Sequence, residues 1–211
     1  VEHRGTYYET AGVLRDMVQN HILQMLALVC MEPPQDLRPE SIRDAKVEVL
    51  RALRPFSPAD AAQSLVLGQY GRPADSGRVE SQVAEGASLP AYREETGVAP
   101  DSRVPTFAAM QVAIDNDRWR DVPIYLQAGK RLDRPMAEIA IQFRNAPGIA
   151  EYERFRDAPP NRLVIKIQPA EGILFQINSK RPGNSDALEQ VELDYCQTCR
   201  YGHNSPEAYQ R

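Results

Sequence analysis

Histidine, cysteine and tryptophan are scarce in this chain of 211 residues, which contains three histidines, three cysteines and one tryptophan. A proton acceptor for catalysis must therefore be sought among very few imidazoles. A small, odd number of cysteines favours a protein of a reducing compartment over a disulfide scaffold, so we expect a cytoplasmic location. No apolar run in the sequence approaches the length needed to span a bilayer.

Charge of one sign does not dominate the sequence. The 25 Lys and Arg residues against 29 Asp and Glu residues give a net charge of -4. This balance excludes nucleic-acid or membrane-surface binding as the main function. It does not exclude an anionic ligand, because a few clustered lysines can bind a phosphate on an acidic protein. The hydrophobic fraction of 42% is typical of a globular protein, and a chain of this length can bury a core.

The two ends of the chain predict a piece of a longer polypeptide. The chain opens at Val1 without a methionine. Near the other end, Ser205 is a typical helix N-cap and Pro206 a typical first helical residue. The helix that they predict would be cut off within about two turns, before it could form a packed face.

Helices are predicted in the first part of the chain. Apolar residues recur at three- and four-residue steps between about residues 8 and 31, which is the period of one helix face, and Pro33 and Pro34 follow. A second helix is predicted to begin at Ser41, which opens a capping-box-like pattern, and to end before Pro55.

Strands are predicted in the later part of the chain. Residues 72–105, rich in Pro, Gly, Ser and charge, predict an irregular surface excursion within one domain of residues 1–211. The run "TFAAMQVAID" is ambiguous between helix and strand. After it, strand-like runs alternate with turns, and the alternation of period two is clearest in "EIAIQFR". Helices first and neighbouring strands later predict an α+β fold, a largely antiparallel sheet with helices packed on one face.

The stretch "RDMVQNHILQ" holds a titratable pair, since Asp16 precedes His21 inside the first predicted helix. Along an α-helix five steps turn about 140°, so these two side chains are not predicted to stack on one face. His21 belongs to the apolar stripe and is predicted to point toward the interior or a pocket wall. It fits a general base whose orienting carboxylate comes from elsewhere. It also fits a structurally satisfied core histidine, and position alone favours that interpretation.

Cationic side chains form two further candidates. "AGKRLDRP" places Lys130, Arg131 and Arg134 directly after a predicted strand, where cations can receive a phosphate or carboxylate. In "RLVIKIQ", Lys166 and Gln168 share one strand face and could bind a sugar or nucleotide. The alternative in both places is a solvated surface, because most short basic clusters bind only water.

The cysteines offer a weak metal hypothesis. Cys196, Cys199 and His203 have the spacing C-x-x-C-x-x-x-H, which supplies three ligands, whereas a structural zinc site needs a fourth. Cys30 lies far away in the first predicted helix. We therefore expect no metal. The sequence also contains no glycine-rich phosphate loop and no GxSxG elbow.

Long motifs carry a resemblance to a known family. They are "EHRGTYYETAGVLRDMVQNHILQMLALVCMEPP", "IRDAKVEVLRALRP", "VLGQY", "YREETGVAPDS", "IDNDRWRDVPIYLQAGKRL", "NRLVIKIQPAEGI" and "SPEAYQR". In these motifs, and in their order, the chain resembles glucose-6-phosphate dehydrogenase along essentially its whole length. The family oxidises glucose 6-phosphate to 6-phosphogluconolactone and reduces NADP, the entry step of the pentose phosphate route.

The resemblance implies a role for particular residues. The histidine of the RDxxQNH motif is the family's catalytic base, which falls on His21, and the aspartate of that motif contacts the sugar, which falls on Asp16. The carboxylate that orients the catalytic histidine lies, in the family, in an RIDHYLGKE motif upstream of this chain. Lys130 and Gln168 match positions that bind the substrate, the second of them in some members. Lys166 matches a position that touches a second, structural NADP in some members.

The resemblance also implies what this chain does not carry. The family's dinucleotide-binding Rossmann domain is absent from it, so we expect the isolated chain to be inactive. The family assembles as a homodimer or homotetramer through its sheet. Where the family commonly has an arginine near the substrate this sequence has Pro135, and Arg134 stands one place earlier. The alternative to an enzyme portion is a non-catalytic module for oligomerisation or sugar-phosphate binding. The choice between NADP and NAD, and between dimer and tetramer, stays open.

Overall fold

The computed structural model describes most of the chain, namely residues 4–72, 89–144, 155, 157–183 and 187–202. The chain divides into two compact units, Val1–Asp133 and Arg134–Arg211. We describe each unit by itself.

The first unit begins with helices. Their bounds are α1 (Gly5–Val13), a π-helix (Leu14–Ile22), α2 (Leu23–Cys30), α3 (Pro39–Arg51) and α4 (Pro58–Ser64). The long helix predicted over residues 8–31 is confirmed, but it is built from three segments. The predicted start at Ser41 is wrong, because α3 begins with Pro39 and Arg38 holds the extended N-cap position. A proline suits the first helical position, since its fixed φ is already helical and its missing N–H would have no partner there.

A sheet completes the first unit. Its strands are β1 (Leu65–Gly68), β2 (Phe107–Val112) and β3 (Ile124–Gly129), in the order β1-β2-β3. Both pairs are antiparallel, and the register joins Leu67 to Ala108 and Ala108 to Ala128. The run "TFAAMQVAID", which was ambiguous between helix and strand, forms the central strand. Alternate β2 residues are buried, so one sheet face covers the core.

The core of the first unit combines helices, the sheet and one irregular segment. The residues of this cluster are Tyr8, Val13, Val18, Leu26, Cys30, Val49, Tyr92, Ala108, Met110, Val112, Ile114, Leu126 and Ala128. Part of the predicted surface excursion (residues 73–88) lies outside the described residues. The rest of it is irregular, with a 3₁₀ turn at Tyr92–Glu94, but it is not merely a surface loop because Tyr92 is fully buried.

The second unit is built on a four-stranded antiparallel meander. Its strands are β4 (Ala137–Gln142), β5 (Arg162–Gln168), β6 (Gly172–Lys180) and β7 (Leu188–Cys196), in the order β4-β5-β6-β7, followed by α5 (Gln197–Tyr201). Every strand pair in the described parts of both units is antiparallel. The predicted α+β class with antiparallel sheets is confirmed, and the described residues form no Rossmann portion.

Among the described residues, no helix combines the length and the apolar character that crossing a membrane requires.

Candidate functional site

The π-helix carries both residues of the RDxxQNH motif. In a π-helix an N–H bonds to the carbonyl five residues earlier, and here the N–H of Leu23 donates to the carbonyl of Val18. A π-helix turns through a smaller angle per residue than an α-helix, so the angle of about 140° expected between Asp16 and His21 does not apply to this segment. A π-helical segment is unusual and is often found at functional sites.

His21 is exposed to solvent, which contradicts the interior position but not the pocket wall, the other position that the sequence predicted. The change of winding rotates it off the apolar stripe to which the α-helical period assigned it. Its imidazole has no hydrogen-bond partner among the described residues. An exposed imidazole without a bond to its neighbours is open to a ligand and to a carboxylate from another part of the polypeptide.

The structure brings Asp16 and Lys130 together. The Asp16 Oδ2 atom lies 3.2 Å from Lys130 Nζ, and the two side chains are only 14% and 31% exposed. The Tyr7 hydroxyl donates to Asp16 Oδ1 over 3.2 Å. Asp16 therefore has one oxygen facing an ammonium and the other facing a phenol. Tyr7 was missed by the sequence reasoning. The helix is kinked at Gly12, and the motif alone does not predict that residues on the two sides of this kink come into contact.

Lys130 is fixed by its surroundings at the end of β3. Its backbone N–H donates to the Thr106 carbonyl over 2.9 Å. Its ammonium lies 3.3 Å from Met17 Sδ and 5.8 Å from the centroid of the Tyr8 ring, within range of a cation–π contact. Burial, and then the negative charge of Asp16, raise the pKa of Tyr8, which stays a neutral phenol beside the ammonium. The Lys130 side chain is thus held in place and is still 31% exposed.

Arg131 differs from its neighbour, although the sequence grouped both as anion-binding cations. Its guanidinium forms an ion pair with Glu95 over 2.7 Å, and the two side chains are 19% and 6% exposed. Arg131 therefore serves the protein interior. In the basic cluster "GKR", Arg131 thus pairs with Glu95, whereas Lys130 pairs with Asp16 on the π-helix.

A second carboxylate holds the same irregular segment. Glu9 accepts hydrogen bonds from the Tyr92 hydroxyl over 2.7 Å and the Ser102 hydroxyl over 2.6 Å. Burial works to raise the pKa of Glu9, but these hydrogen bonds and one from the Ala99 backbone outweigh it, so the pKa is lowered. Residues 92–102 are thereby tied to α1, the helix that also carries Tyr7.

Lys166 and Gln168 lie in the second unit, near the end of β5. They share one strand face, as predicted, because residues two apart in a strand point the same way. Lys166 Nζ forms an ion pair with Asp194 over 3.1 Å, across two strands of the sheet. Gln168 is exposed and is joined to Pro169 through a cis peptide bond.

The two cysteines of the C-x-x-C motif form a disulfide between Cys196 and Cys199. A chain with few cysteines was expected to hold its thiols reduced, so this pair departs from that expectation. Both sulfurs are bonded to each other and are not available as thiolate ligands. His203 lies outside the described residues, and those residues contain no group of His, Cys, Asp and Glu that could hold a metal.

The whole chain, residues 1–211, matches the family model described as "Glucose-6-phosphate dehydrogenase, C-terminal domain". The chain belongs to this family. It is 45% identical over 211 residues to the glucose-6-phosphate 1-dehydrogenase of Bacillus subtilis, covering 100% of this chain and 41% of the relative. It is 42% identical to the chloroplastic glucose-6-phosphate 1-dehydrogenase 3 of Arabidopsis thaliana, covering 100% of this chain and 33% of the relative.

Solved structures of the family share the fold. A glucose-6-phosphate dehydrogenase in complex with its substrate glucose 6-phosphate superposes with a TM-score of 0.81 at 41% identity, covering 99% of this chain and 40% of that one. The glucose-6-phosphate 1-dehydrogenase of Mycobacterium avium gives a TM-score of 0.74 at 35% identity, covering 93% and 37%. The chain thus spans about two fifths of the length of the relatives that it matches.

Proposed function

We propose that the full-length protein oxidises glucose 6-phosphate at C1 to 6-phosphogluconolactone and reduces NADP. Membership of the dehydrogenase family supports this proposal, and the named substrate of one solved relative agrees with it. The observation in the structure that carries it is the ion pair of Asp16 and Lys130. Asp16 belongs to the π-helix that also contains His21, and Lys130 contacts this helix from the end of β3. The pair offers an acceptor for sugar hydroxyls and a cation for the phosphate-bearing substrate.

The proposed chemistry needs one proton acceptor from this chain. His21 takes the proton of the C1 hydroxyl, the C1–H bond breaks, and the carbon–oxygen bond becomes the lactone carbonyl. When bound, NADP supplies the hydride acceptor. Asp16 accepts hydrogen bonds from the sugar, and Lys130 orients it through charge.

Two variants test these roles in the full-length enzyme. His21→Asn should lower kcat by about 10²–10⁴-fold with little change in the KM for glucose 6-phosphate, because a general base acts in the transition state. Gln24→Ala, on the helix that follows, is the matched control and should keep wild-type kcat. A His21→Asn enzyme with undiminished kcat would remove His21 from the mechanism.

Lys130→Ala should instead raise the KM for glucose 6-phosphate, because the ammonium contributes to binding as a point charge. The control is Lys46→Ala, since Lys46 is a lysine of the same unit whose ammonium donates to the Gln24 side chain over 2.8 Å. If both lysine variants change KM equally, Lys130 has no particular role in the site.

NADP is the proposed coenzyme, and we propose that residues outside this chain bind the molecule that accepts hydride. Lys166 is the candidate contact for a second NADP, and its ammonium forms an ion pair with Asp194 over 3.1 Å, as that of Lys130 does with Asp16 over 3.2 Å. A second NADP at Lys166 would have to compete with the Asp194 carboxylate. Asp194→Asn should therefore tighten NADP binding to the full-length protein if such a contact exists, and leave it unchanged if it does not.

We further propose that the protein is a homo-oligomer that associates through the sheet of the second unit. One face of this sheet carries aligned apolar side chains, for example Ile165 opposite Ile173 and Ile173 opposite Tyr195. Leu193 on the same face is 58% exposed, Ile173 45% and Tyr195 41%. A continuous exposed apolar face is typical of an interface, and a second copy of the chain would bury it.

Sedimentation of the full-length protein tests the interface. Leu193→Asp places a charge on the apolar face and should shift the protein toward monomer. Gln190→Asp, on the opposite face of the same strand, is the control and should leave the mass unchanged. An unchanged mass for Leu193→Asp would exclude this face as the interface.

The cytoplasm is the proposed location. Activity retained in a glutathione buffer set to the cytosolic redox potential would support it.

A further inference from the structure

The ion pair between Glu95 and Arg131 has a geometry that surface pairs lack. Arg131 has a φ of 56°, in the left-handed region that residues other than glycine rarely adopt. Its side chain is 19% exposed and that of Glu95 only 6%. A non-glycine residue persists in such a conformation only where its surroundings determine it strongly.

The surroundings of Arg131 occupy most of its guanidinium. One nitrogen donates to Glu95 Oε1 over 2.7 Å and another to the Pro90 carbonyl over 2.5 Å. The guanidinium carbon lies 4.6 Å from the centroid of the Tyr70 ring, and the Tyr70 hydroxyl donates to Glu95 over 2.7 Å. A guanidinium with these donors engaged and one face stacked on a ring has little left for a ligand.

Arg131 is also the covalent neighbour of Lys130. The backbone N–H of Lys130 donates to the carbonyl of Thr106, the residue before β2. The backbone of the turn at Lys130 and Arg131 is therefore fixed by Thr106 on one side and, through the Arg131 side chain, by Glu95 on the other. Since the direction of the Lys130 side chain depends on the backbone of this turn, the distance from its ammonium to Asp16 depends on the anchoring of Arg131.

We propose that Glu95 and Arg131 are positioning residues that set the place of the Lys130 ammonium and thereby the affinity for the phosphorylated sugar. This inference rests on the proposed function, in which Lys130 binds the substrate. Neither residue touches the substrate. Glu95 thereby supports substrate binding from within the irregular segment, although it contributes no contact to the substrate itself.

The first test is Glu95→Gln in the full-length enzyme. The variant keeps the shape, and its amide oxygen can still accept the hydrogen bonds of Arg131 and Tyr70, but it removes the charge that anchors Arg131. The KM for glucose 6-phosphate should rise about tenfold, because a small displacement of a binding group is costly. The KM for NADP and kcat should change less than about twofold, since a positioning residue of Lys130 affects only substrate binding.

The matched control is Arg72→Gln. Arg72 pairs with Glu94, the neighbour of Glu95 in the same segment, but that pair is exposed at 66% and 40%. Exposed pairs contribute little, so all kinetic constants should stay at their wild-type values. A tenfold rise of KM in Arg72→Gln would mean that the whole segment, and not the buried pair, determines affinity.

A double-mutant cycle separates positioning from general support of the fold. In the Lys130→Ala background, Glu95→Gln should raise the KM for glucose 6-phosphate no further, because the group that it positions is gone. Additive effects of Glu95→Gln and Lys130→Ala would overturn the proposal. If Lys130→Ala alone leaves the KM unchanged, the substrate role of Lys130 fails, and the positioning inference fails with it for a different and recognisable reason.

Tyr70→Phe covers the case in which Glu95→Gln does not fold. It removes the hydroxyl bond to Glu95 but keeps the ring that stacks on Arg131. The KM for glucose 6-phosphate should rise about threefold, in the same direction as for Glu95→Gln. A folded Tyr70→Phe enzyme with a wild-type KM for glucose 6-phosphate would then refute the inference.

Discussion

Gly12 is the residue at which the first helix changes direction, and its replacement by alanine tests the architecture of the site. Gly12 has a φ of 59° and a ψ of 179°, although it lies within the helix Gly5–Val13. The kink frees the N–H of Val13 to donate to the Pro105 carbonyl over 3.1 Å. The π-helix with Asp16 and His21 starts immediately afterwards, so its direction is set at Gly12.

The cost of Gly12→Ala can be worked from the geometry. A residue with a side chain in this glycine-only region is strained by about 1–3 kcal/mol. A Cβ at Gly12 would also lie 3.2 Å from Val104 Cγ1, which must shift by a few tenths of an ångström. The lower entropy of the unfolded alanine chain returns about 0.4–1 kcal/mol. We therefore expect a net local destabilisation of about 2 kcal/mol.

Hydrogen exchange followed by mass spectrometry on the full-length protein measures this locally. Exchange in peptides that cover α1 and the π-helix should accelerate about 30-fold, which corresponds to 2 kcal/mol at about 1.4 kcal/mol per factor of ten. A local readout is preferable to a melting temperature, because a protein of several domains need not unfold in one step.

Two other glycines separate the causes. Gly183 has a φ of 76° and no atom within 4 Å of an added Cβ, so Gly183→Ala carries backbone strain alone. An added Cβ at Gly71 also meets nothing within 4 Å, and its φ is not in the left-handed region, so Gly71→Ala should be neutral within about 0.5 kcal/mol. If Gly12→Ala exchanged as slowly as Gly71→Ala, the kink would not depend on glycine and the reasoning would be refuted.

Three further predictions concern buried groups. Tyr8→Phe should leave stability unchanged or raise it by about 1 kcal/mol in urea unfolding, because the Tyr8 hydroxyl is buried without a partner among the described residues, and a clear loss would reveal a hidden partner. The lowered pKa of Glu9 means that its contribution to stability is present above the unfolded value of about 4.3 and is lost as the pH falls through the folded value. Urea midpoints of wild type and Glu9→Gln should therefore differ at neutral pH and converge in acid, and a constant difference would contradict this. Burial raises the pKa of Cys30 to about 11, so iodoacetamide at pH 8 should modify Cys196 and Cys199 after reduction but spare Cys30, as peptide mapping would show.

The regular elements followed from the sequence where one periodicity dominated. The runs from "PIYLQ" to "LEQVELDY" form strands β3 to β7. They were predictable because apolar and polar residues that alternate with period two fit a strand whose two faces differ in environment. The run that became β2 was ambiguous, since most of its residues are apolar on both faces and periodicity cannot then separate strand from helix. The resemblance to a family supplied the class of function, which no spacing could give.

The winding of the site helix could not be predicted in this way. An apolar repeat of three and four residues looks the same whether a helix is α throughout or widens to π for nine residues. The kink at Gly12 depends on a partner far along the chain, the carbonyl of Pro105. For the same reason the sequence could not tell that Lys130 faces Asp16 whereas Arg131 turns to Glu95. Adjacent residues of equal charge differ here only in tertiary contacts.

The contact between Tyr7 and Asp16 shows why the kink matters to the chemistry. In a straight α-helix, residues nine apart are separated by about 13.5 Å along the axis and lie on opposite faces. The Tyr7 hydroxyl nevertheless reaches Asp16 Oδ1 over 3.2 Å, which only a sharp change of direction between them permits. With Tyr7 on one oxygen and Lys130 on the other, the Asp16 carboxylate is held in one orientation before any sugar arrives. Gly12 therefore preorganises Asp16, the proposed sugar-binding group, although glycine has no side chain to contribute to the site.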